Sequence, residues 1–486
     1  MLSSGRTSRP VSISGRRDGE SEKSLLDTAN EDDDGELRGG DDGGDGGIIS
    51  RTRRILILVT LAAATMSGDL TSMQSFYTTA ALAKNPGAGP GYHTAIGGVY
   101  SVFMVTGAIT LPFFTKDLPN IGSKNLIVLS HFITGSSLLV FASVTTITDW
   151  LIFILYSFAV RILLGVAYAM STFATMTYLI AMYPANLGFA TAFQMGFLAI
   201  AHVSGVMLGG ALYDIGGFAA PFLFGGAVNV TASMALFISL ADIDDVRSSA
   251  QKSQTVKVVG VGSILRSPWV WVMVFTLLMS NIGNAGVDPV LGPRMRSTLD
   301  SPAVVTGAVI SVKAIASTVA SPFVGDLLDK GANAPLLIML GMLCETLGLF
   351  VIGPIVFVHE TPPLWQLLVG VSPLSLTNIL MQASSVVSMS QHLEHIGVGN
   401  AVELRFAVAS LSRFSLTSGH ALGSLIFTST VAILGFPLAL TSIGVLYAGM
   451  AVLMVFLSWL HRVALKLRRK QAGCVNAGTD DEMDDQ

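Results

Sequence analysis

Apolar residues fall along the chain in long runs of about twenty, each closed by a short polar or Gly/Pro-rich break, a length that crosses a bilayer core as a helix. The pattern predicts helices near 55–79, 92–114, 125–145, 150–182, 187–213, 218–240, 268–290, 302–328, 334–357, 363–390, 400–430 and 436–461, twelve in all. Unpaired backbone amides are intolerable in hydrocarbon, so spanning segments must be helices or a closed barrel, and a barrel's short alternating strands are missing from this pattern. The expected fold is an all-α membrane protein with twelve transmembrane helices in two pseudo-symmetric six-helix bundles. The longest polar interruption, 241–267, carries Asp242, Asp244, Asp245, Arg247, Lys252 and Lys257 and reads as a cytosolic linker. It separates a first bundle (51–240) from a second (268–461), with tails at 1–50 and 462–486.

The two halves resemble each other at an offset of 210 residues. Gly97, Ser101, Val102, Pro112 and Phe113 in the second helix correspond to Gly307, Ser311, Val312, Pro322 and Phe323 in the eighth. A six-plus-six duplication of this kind predicts a central cavity between two related bundles, the geometry used for alternating access.

Composition agrees with a bilayer as the main solvent: 51% of residues are hydrophobic and only 12% charged, with a mean hydropathy of +0.63. The net charge of −4 arises largely in the tails, from Glu31, Asp32, Asp33, Asp34 and Glu36 in front and from Asp480 to Asp485 behind. It implies no acidic or basic ligand and no nucleic acid. Lys and Arg concentrate on alternate connections, at Arg51, Arg53, Arg54, Lys116, Lys124, Lys330 and Arg462 among others, whereas the opposite side has only Lys84, Arg294 and Arg296. Both termini are therefore expected in the cytosol. Residues 1–50 are poor in large apolar groups and are expected to be disordered, with no signal peptide; Glu22-Lys23-Ser24-Leu25-Leu26 is similar to an acidic dileucine sorting signal. Cys344 and Cys474 make neither a disulfide framework nor a metal-ligand spacing, so no cofactor and no metal is expected. With no nucleophile and base, metal cluster or phosphate loop standing out, an enzyme is not expected.

Several motifs carry a resemblance. After the eighth helix, Pro322-Phe-Val-Gly325-Asp-Leu-Leu-Asp329-Lys330-Gly331 resembles the major facilitator loop signature Gly-x-x-x-Asp-Arg-x-Gly, with Lys330 in place of Arg and the closing Gly one position early. The resemblance implies a conformational latch formed by Gly325, Asp329 and Lys330. The matching turn of the first half, 115–124, has Thr115 and Pro119 where the signature has Gly and Asp. In the fourth helix, Arg161-Ile-Leu-Leu-Gly165 resembles the family's Arg-x-x-x-Gly pattern, whose buried Arg is associated with proton coupling. In the fifth, Gly205-Val206-Met-Leu-Gly209-Gly210 resembles the antiporter signature, with Val206 for its Pro and Ala201 for an upstream Gly; the same glycines also suit plain helix packing. The continuation Gly216-Gly217-Phe-Ala-Ala-Pro221-Phe222 is similar to the vesicular amine transporters, and the chain from about 55 to 460 is most similar to their polyamine-type branch.

Ionisable groups inside spans point to mechanism, because each costs about 2.5 kcal/mol or more at a lipid-facing bilayer centre. The candidates for substrate or proton binding are Asp69, Arg161, Asp288 and Glu345, with Lys313 and Glu403 as charge partners. Asp69 either binds a cation, as the resemblance implies for a first-helix acid, or partners Arg161. Lys313 and Glu345, mid-span in neighbouring helices, are expected as a neutralised pair. Asp288 is a gate or a helix-end polar group, and Glu403 and Arg405 lie on different helix faces. His131, His202 and His420 read as packing residues. The expected function is a secondary transporter exchanging a small organic cation for protons, in a vesicle or plasma membrane. The alternatives are a uniporter or symporter of an unrelated metabolite, and a non-transporting sensor or scaffold.

Overall fold

The computed structural model describes residues 45–85, 87, 89–182, 187–240, 264–353, 363–396 and 401–481; side chains at 45–55, 111–121, 176–193, 195, 401–407, 409–410, 461–462 and 464–481 lie outside that description. Most of the expected tail at 1–50 and linker at 241–267 also lies outside the described residues. The chain divides into Met1–Arg53 and Arg54–Gln486, and the packing below concerns the second unit.

Every described regular element is helical: α1 (Asp45–Ser72), a 3₁₀ turn (Met73–Ser75), α2 (Tyr77–Lys84), α3 (Pro90–Ile121), α4 (Ser123–Ala142), a second 3₁₀ turn (Ser143–Thr146), α5 (Trp150–Met182), α6 (Leu187–Gly216) and α7 (Ala219–Ser239) form the first half. The second half comprises α8 (Pro268–Gly286), α9 (Asp288–Leu299), α10 (Ala303–Asp329), α11 (Ala334–Ile352), α12 (Leu364–His395), α13 (Ala401–Leu434) and α14 (Phe436–Asp481). Eleven segments among the described residues are long and apolar enough to cross a membrane, α8 and α9 counting as one. The 32-residue α3 is long enough to cross as well. The buried clusters at the start of α1 and the end of α7, and at the start of α8 and the end of α14, mark one face, called here the terminal face.

Three boundaries differ from expectation for identifiable reasons. The loop expected at 115–124 is helical to Ile121, and the break falls at Gly122, whose φ of 81° is the left-handed conformation that ends a helix cheaply only in glycine. The tail expected from 462 continues α14 to Asp481, because Ala464, Leu465, Lys466, Leu467, Arg468 and Arg469 are strong helix formers. Each half also begins with a broken span. Phe76 leaves the helical region at φ −137°, and α8 gives way to α9 at Val287, just before Asp288-Pro289, where proline withholds a backbone donor.

The halves meet along two seams, α3 against α13 and α6 against α10. Both use the same device. A Cβ added at Gly97 would sit 2.8 Å from Ser424 O, and one at Gly307 would sit 2.6 Å from Val206 O, so only glycine permits either approach. Four residues on, Ser101 Oγ donates to Gly97 O at 2.9 Å and across the seam to Ala421 O. Its counterpart Ser311 Oγ donates to Gly307 O at 2.8 Å and across to Val203 O at 3.2 Å. The 210-residue correspondence read from the sequence is thus a correspondence of contacts.

The face opposite the termini is closed. There α2 packs on α9, Thr94 and Ser429 place their hydroxyls 3.0 Å apart across one seam, and Asp214 at the end of α6 accepts from the first amides of α10, Ala303 N at 2.9 Å and Val304 N at 2.8 Å. α10 has no cap of its own at Pro302, so this carboxylate from the other half satisfies its orphan donors. A nest of buried rings, Phe76, Tyr77, Phe141, Phe153 and Phe222 with Phe218, stiffens the same end of the first half, the Phe141 and Phe222 centroids 4.6 Å apart.

Candidate functional site

Between the halves lies a cavity of about 220 Å³, lined from one side by Gln74, Tyr100, Phe103, Arg161 and His202 and from the other by Asn284, Asp288, Lys313, Asn378 and His420. The break between α8 and α9 positions its acid: Asp288 opens α9, where the helix N-terminus favours negative charge. Lys313, in the middle of α10, donates to Asp288 Oδ1 and to the carbonyl of Asn284. The two side chains are 10% and 9% exposed. At that burial the desolvation cost is large and only an opposite charge offsets it. The expected Lys313–Glu345 pair is therefore not formed. Glu345, on α11, is fully buried behind α8, near Gly283 and Tyr447, and neither carboxyl oxygen has a hydrogen-bond partner among the described residues.

Arg161 is 2% exposed and faces the cavity. Its Nε donates to Val99 O at 3.3 Å, and its guanidinium lies 5.0 Å from the Phe103 ring and 5.7 Å from that of Tyr100. Cation–π contact partly replaces the water such a group would otherwise require. Asp69 is not its ion-pair partner. The Asp69 carboxylate accepts from Asn229 Nδ2 on α7 and looks away from the central cavity into a separate lateral groove; only a void of about 20 Å³ separates it from Arg161. Helix geometry explains the miss. On α1 the cavity stripe is Leu70, Thr71 and Gln74, and one residue back from Leu70 turns the side chain by about 100°.

The motif residues do separate things. Gly205 and Gly209 bring α6 against Gly68 and Ser72 of α1, while Gly210 meets the backbone of Ala303 across the seam. Lys330 pairs with Asp326 at 2.6 Å on its own helix, and Asp329 is exposed. The early glycine of the loop motif has a plain cause: Gly331, at φ 82°, closes α10, with Gly331 N donating to Leu328 O and Ala332 N to Leu327 O, each at 3.0 Å. The side chain of Glu403 lies outside the described residues. His131 is a packing residue, its two ring nitrogens each 2.9 Å from a carbonyl, those of Ile127 and Ala62, whereas His202 and His420 line the cavity.

Sequence reasoning passed over the amides. Gln74 and Asn284 both line the cavity and are related by the 210-residue offset, so projecting that offset onto polar residues of the first and seventh spans would have found them. A third amide, Asn229 on α7, orients Asp69.

The family model for the Major Facilitator Superfamily matches residues 46–412. "MFS-type transporter SLC18B1" of Rattus norvegicus is 24% identical over 276 residues, 57% of this chain and 59% of that protein. The "Chromaffin granule amine transporter" of Homo sapiens is 24% identical over 60% of this chain and 52% of that protein, so the chain spans less than two thirds of the length of these relatives. Among solved structures, the nucleoside transporter NupG superposes with a TM-score of 0.63 at 13% identity, covering 84% of this chain and 97% of that one. A bacterial homologue of the human lysosomal transporter Spinster, inward-facing and occupied, gives 0.64 at 11% identity, covering 83% and 96%. A chain whose family match takes in well over half its length, and whose helices are long and apolar enough to cross a membrane many times around a charged internal cavity, is an integral multi-pass membrane protein and belongs to the Major Facilitator Superfamily.

Proposed function

We propose that the protein exchanges a small organic amine for protons by alternating access. The observation that carries this reading is the Lys313 ammonium, held by Asp288 and the Asn284 carbonyl inside the cavity with the rings of Tyr100 and Phe103 nearby. This is a tethered likeness of a bound alkylammonium. A substrate ammonium displaces Lys313 from Asp288, and Lys313 returns when the substrate leaves. Because Asp288 holds one cation at a time, the cavity is reset without being left with a bare acid. Glu345 is the candidate proton carrier: a buried carboxyl with no hydrogen-bond partner among the described residues is the group whose charge depends most on whether water reaches it. The names of two relatives, the chromaffin granule and synaptic vesicular amine transporters, favour the same substrate class and an intracellular vesicle, with both termini in the cytosol.

One observation favours a different substrate. The cavity lining carries Arg161 and Lys313 against the single acid Asp288, a balance that suits an anionic or zwitterionic metabolite moved by uniport or symport. One experiment separates the two. In proteoliposomes containing the full chain, an acid-inside pH gradient should drive uptake of labelled spermidine or tyramine, and a protonophore should abolish it. Amine uptake indifferent to the gradient sinks the exchange reading.

A further inference from the structure

Tyr447, on α14, is buried inside the second half, and its hydroxyl donates to Met279 O on α8 at 2.6 Å. In an α-helix that carbonyl also receives the amide four residues on, here Gly283 N, so the phenol grips this turn of α8 from outside. Glu345 comes to the same place from α11. A Cβ added at Gly283 would lie 2.7 Å from Glu345 Cδ and 2.9 Å from Tyr447 Oη, so both side chains rest on the bare Cα of that glycine. Immediately beyond it α8 carries Asn284, whose carbonyl receives Lys313, and gives way to α9 ahead of Asp288. The turn that Tyr447 grips is thus the one that leads into the Lys313 site.

A hydroxyl has one proton to give. Tyr447 gives its own to Met279 O, and Thr377, the hydroxyl beside Glu345 on α12, gives its own to Gly341 O at 3.0 Å. Neither carboxyl oxygen of Glu345 has a hydrogen-bond partner among the described residues, an arrangement that suits a neutral carboxylic acid and leaves a carboxylate without a donor. The titratable or charged groups that face Glu345 are Tyr447 from α14 and Lys313 from α10, with Cys344 next to it on α11; α8 and α12 present Gly283 and Thr377. Lys313 is committed to Asp288 and Asn284 O, so the Tyr447 proton is the one that can be redirected. We infer that Tyr447 is a positioning residue that passes the charge of Glu345 to the Lys313 site: when Glu345 gives its proton to water, the Tyr447 hydroxyl turns from Met279 O to the new carboxylate, and α8 is released one turn ahead of Asn284 and Asp288. This coupling rests on the reading of Glu345 as the proton carrier and is independent of what the central cavity carries.

The test is infrared difference spectroscopy of the full chain in lipid nanodiscs, titrated from acid to alkaline pH. The carbonyl stretch of protonated Glu345, identified as the band missing from Glu345→Gln, should vanish as the pH rises. In Tyr447→Phe the carboxylate has lost its donor, so the band should persist to a pH about one unit higher, a roughly tenfold change in proton affinity that a hydroxyl serving only to pack α14 on α8 would not produce. Hydrogen exchange across 279–288, corrected for its intrinsic dependence on pH, should follow the same titration in the unmodified protein, with protection falling severalfold as the band disappears. It should stay slow at every pH in Glu345→Gln and fast at every pH in Tyr447→Phe. A band that titrates at the same pH with and without the Tyr447 hydroxyl, or exchange that follows pH alike in all three proteins, would overturn the inference and leave Glu345 as carrier. A Glu345 band that never titrates would overturn both, and amine uptake driven by a pH gradient is measured apart from either.

Discussion

The two seams are near copies of each other, and the cavity they enclose is not. At the seams Gly97 and Ser101 do for α3 and α13 what Gly307 and Ser311 do for α10 and α6. In the cavity the same offset pairs Phe103 with Lys313 and Thr78 with Asp288, so the ion pair belongs to the second half alone. In the first half, Phe103 offers its ring to Arg161, and Thr78 donates to Tyr100 Oη at 3.2 Å. The difference teaches that what the seams share is backbone contact, namely close approach at a glycine and a hydroxyl to cross the gap. The charges inside the cavity follow no such repeat.

The comparison can be broken most forcefully at Asp288. Asp288→Asn leaves the Lys313 ammonium with only neutral partners and should cost about 3 kcal/mol, seen as a lowered thermal midpoint of the purified protein. Phe103→Leu, at the matching position of the first half, should be milder than that, since it removes no charge. Equal losses would mean that the pair is not the special feature of the second half.

Next come the seams. Gly97→Val and Gly307→Val each push a branched side chain into a facing backbone carbonyl, and each should destabilise the closed face by roughly 1–3 kcal/mol. Cysteine accessibility at Ser429 and at Ala303, positions beside the two seams, should rise by comparable amounts in the two variants. A large effect at one seam and none at the other would deny that they are equivalent.

How much was legible beforehand follows from the same contrast. Spans are set by a length of apolar residues, and eleven of the twelve expected ones are matched by a long apolar helix among the described residues. The seam glycines and serines also stood out, because sequence similarity at a fixed offset survives wherever backbone contact tolerates no substitution. The partner of Lys313 could not be read, because two acids were within plausible reach and the choice rests on the broken helix that turns Asp288 inward. The direction in which Asp69 faces could not be read either, since one residue of helix rotation separates it from the cavity stripe of α1. Periodicity shows which residues share a face, and only packing shows what that face looks at.

Asp214 sharpens the contrast between the seams by a smaller amount. It caps α10 from the other half, whereas at that face the α3–α13 seam has the Thr94–Ser429 hydroxyl pair and, among the described residues, no carboxylate cap. Asp214→Ala should cost about 1 kcal/mol, the usual worth of a helix cap, and speed hydrogen exchange at Ala303 and Val304. Smallest of all is Lys330→Ala. The pair it makes with Asp326 is 72% and 60% exposed, and its loss should change the thermal midpoint by an amount equivalent to about 0.3 kcal/mol or less.

The most direct test of the account is amine affinity in the Lys313→Ala protein. If Lys313 holds the place of a substrate ammonium at Asp288, removing it frees the acid, and spermidine measured by titration calorimetry in nanodiscs should bind about tenfold more tightly than to the unmodified protein. Binding that is unchanged or weakened would show that Lys313 is no stand-in, and that the cavity recognises its substrate by other means.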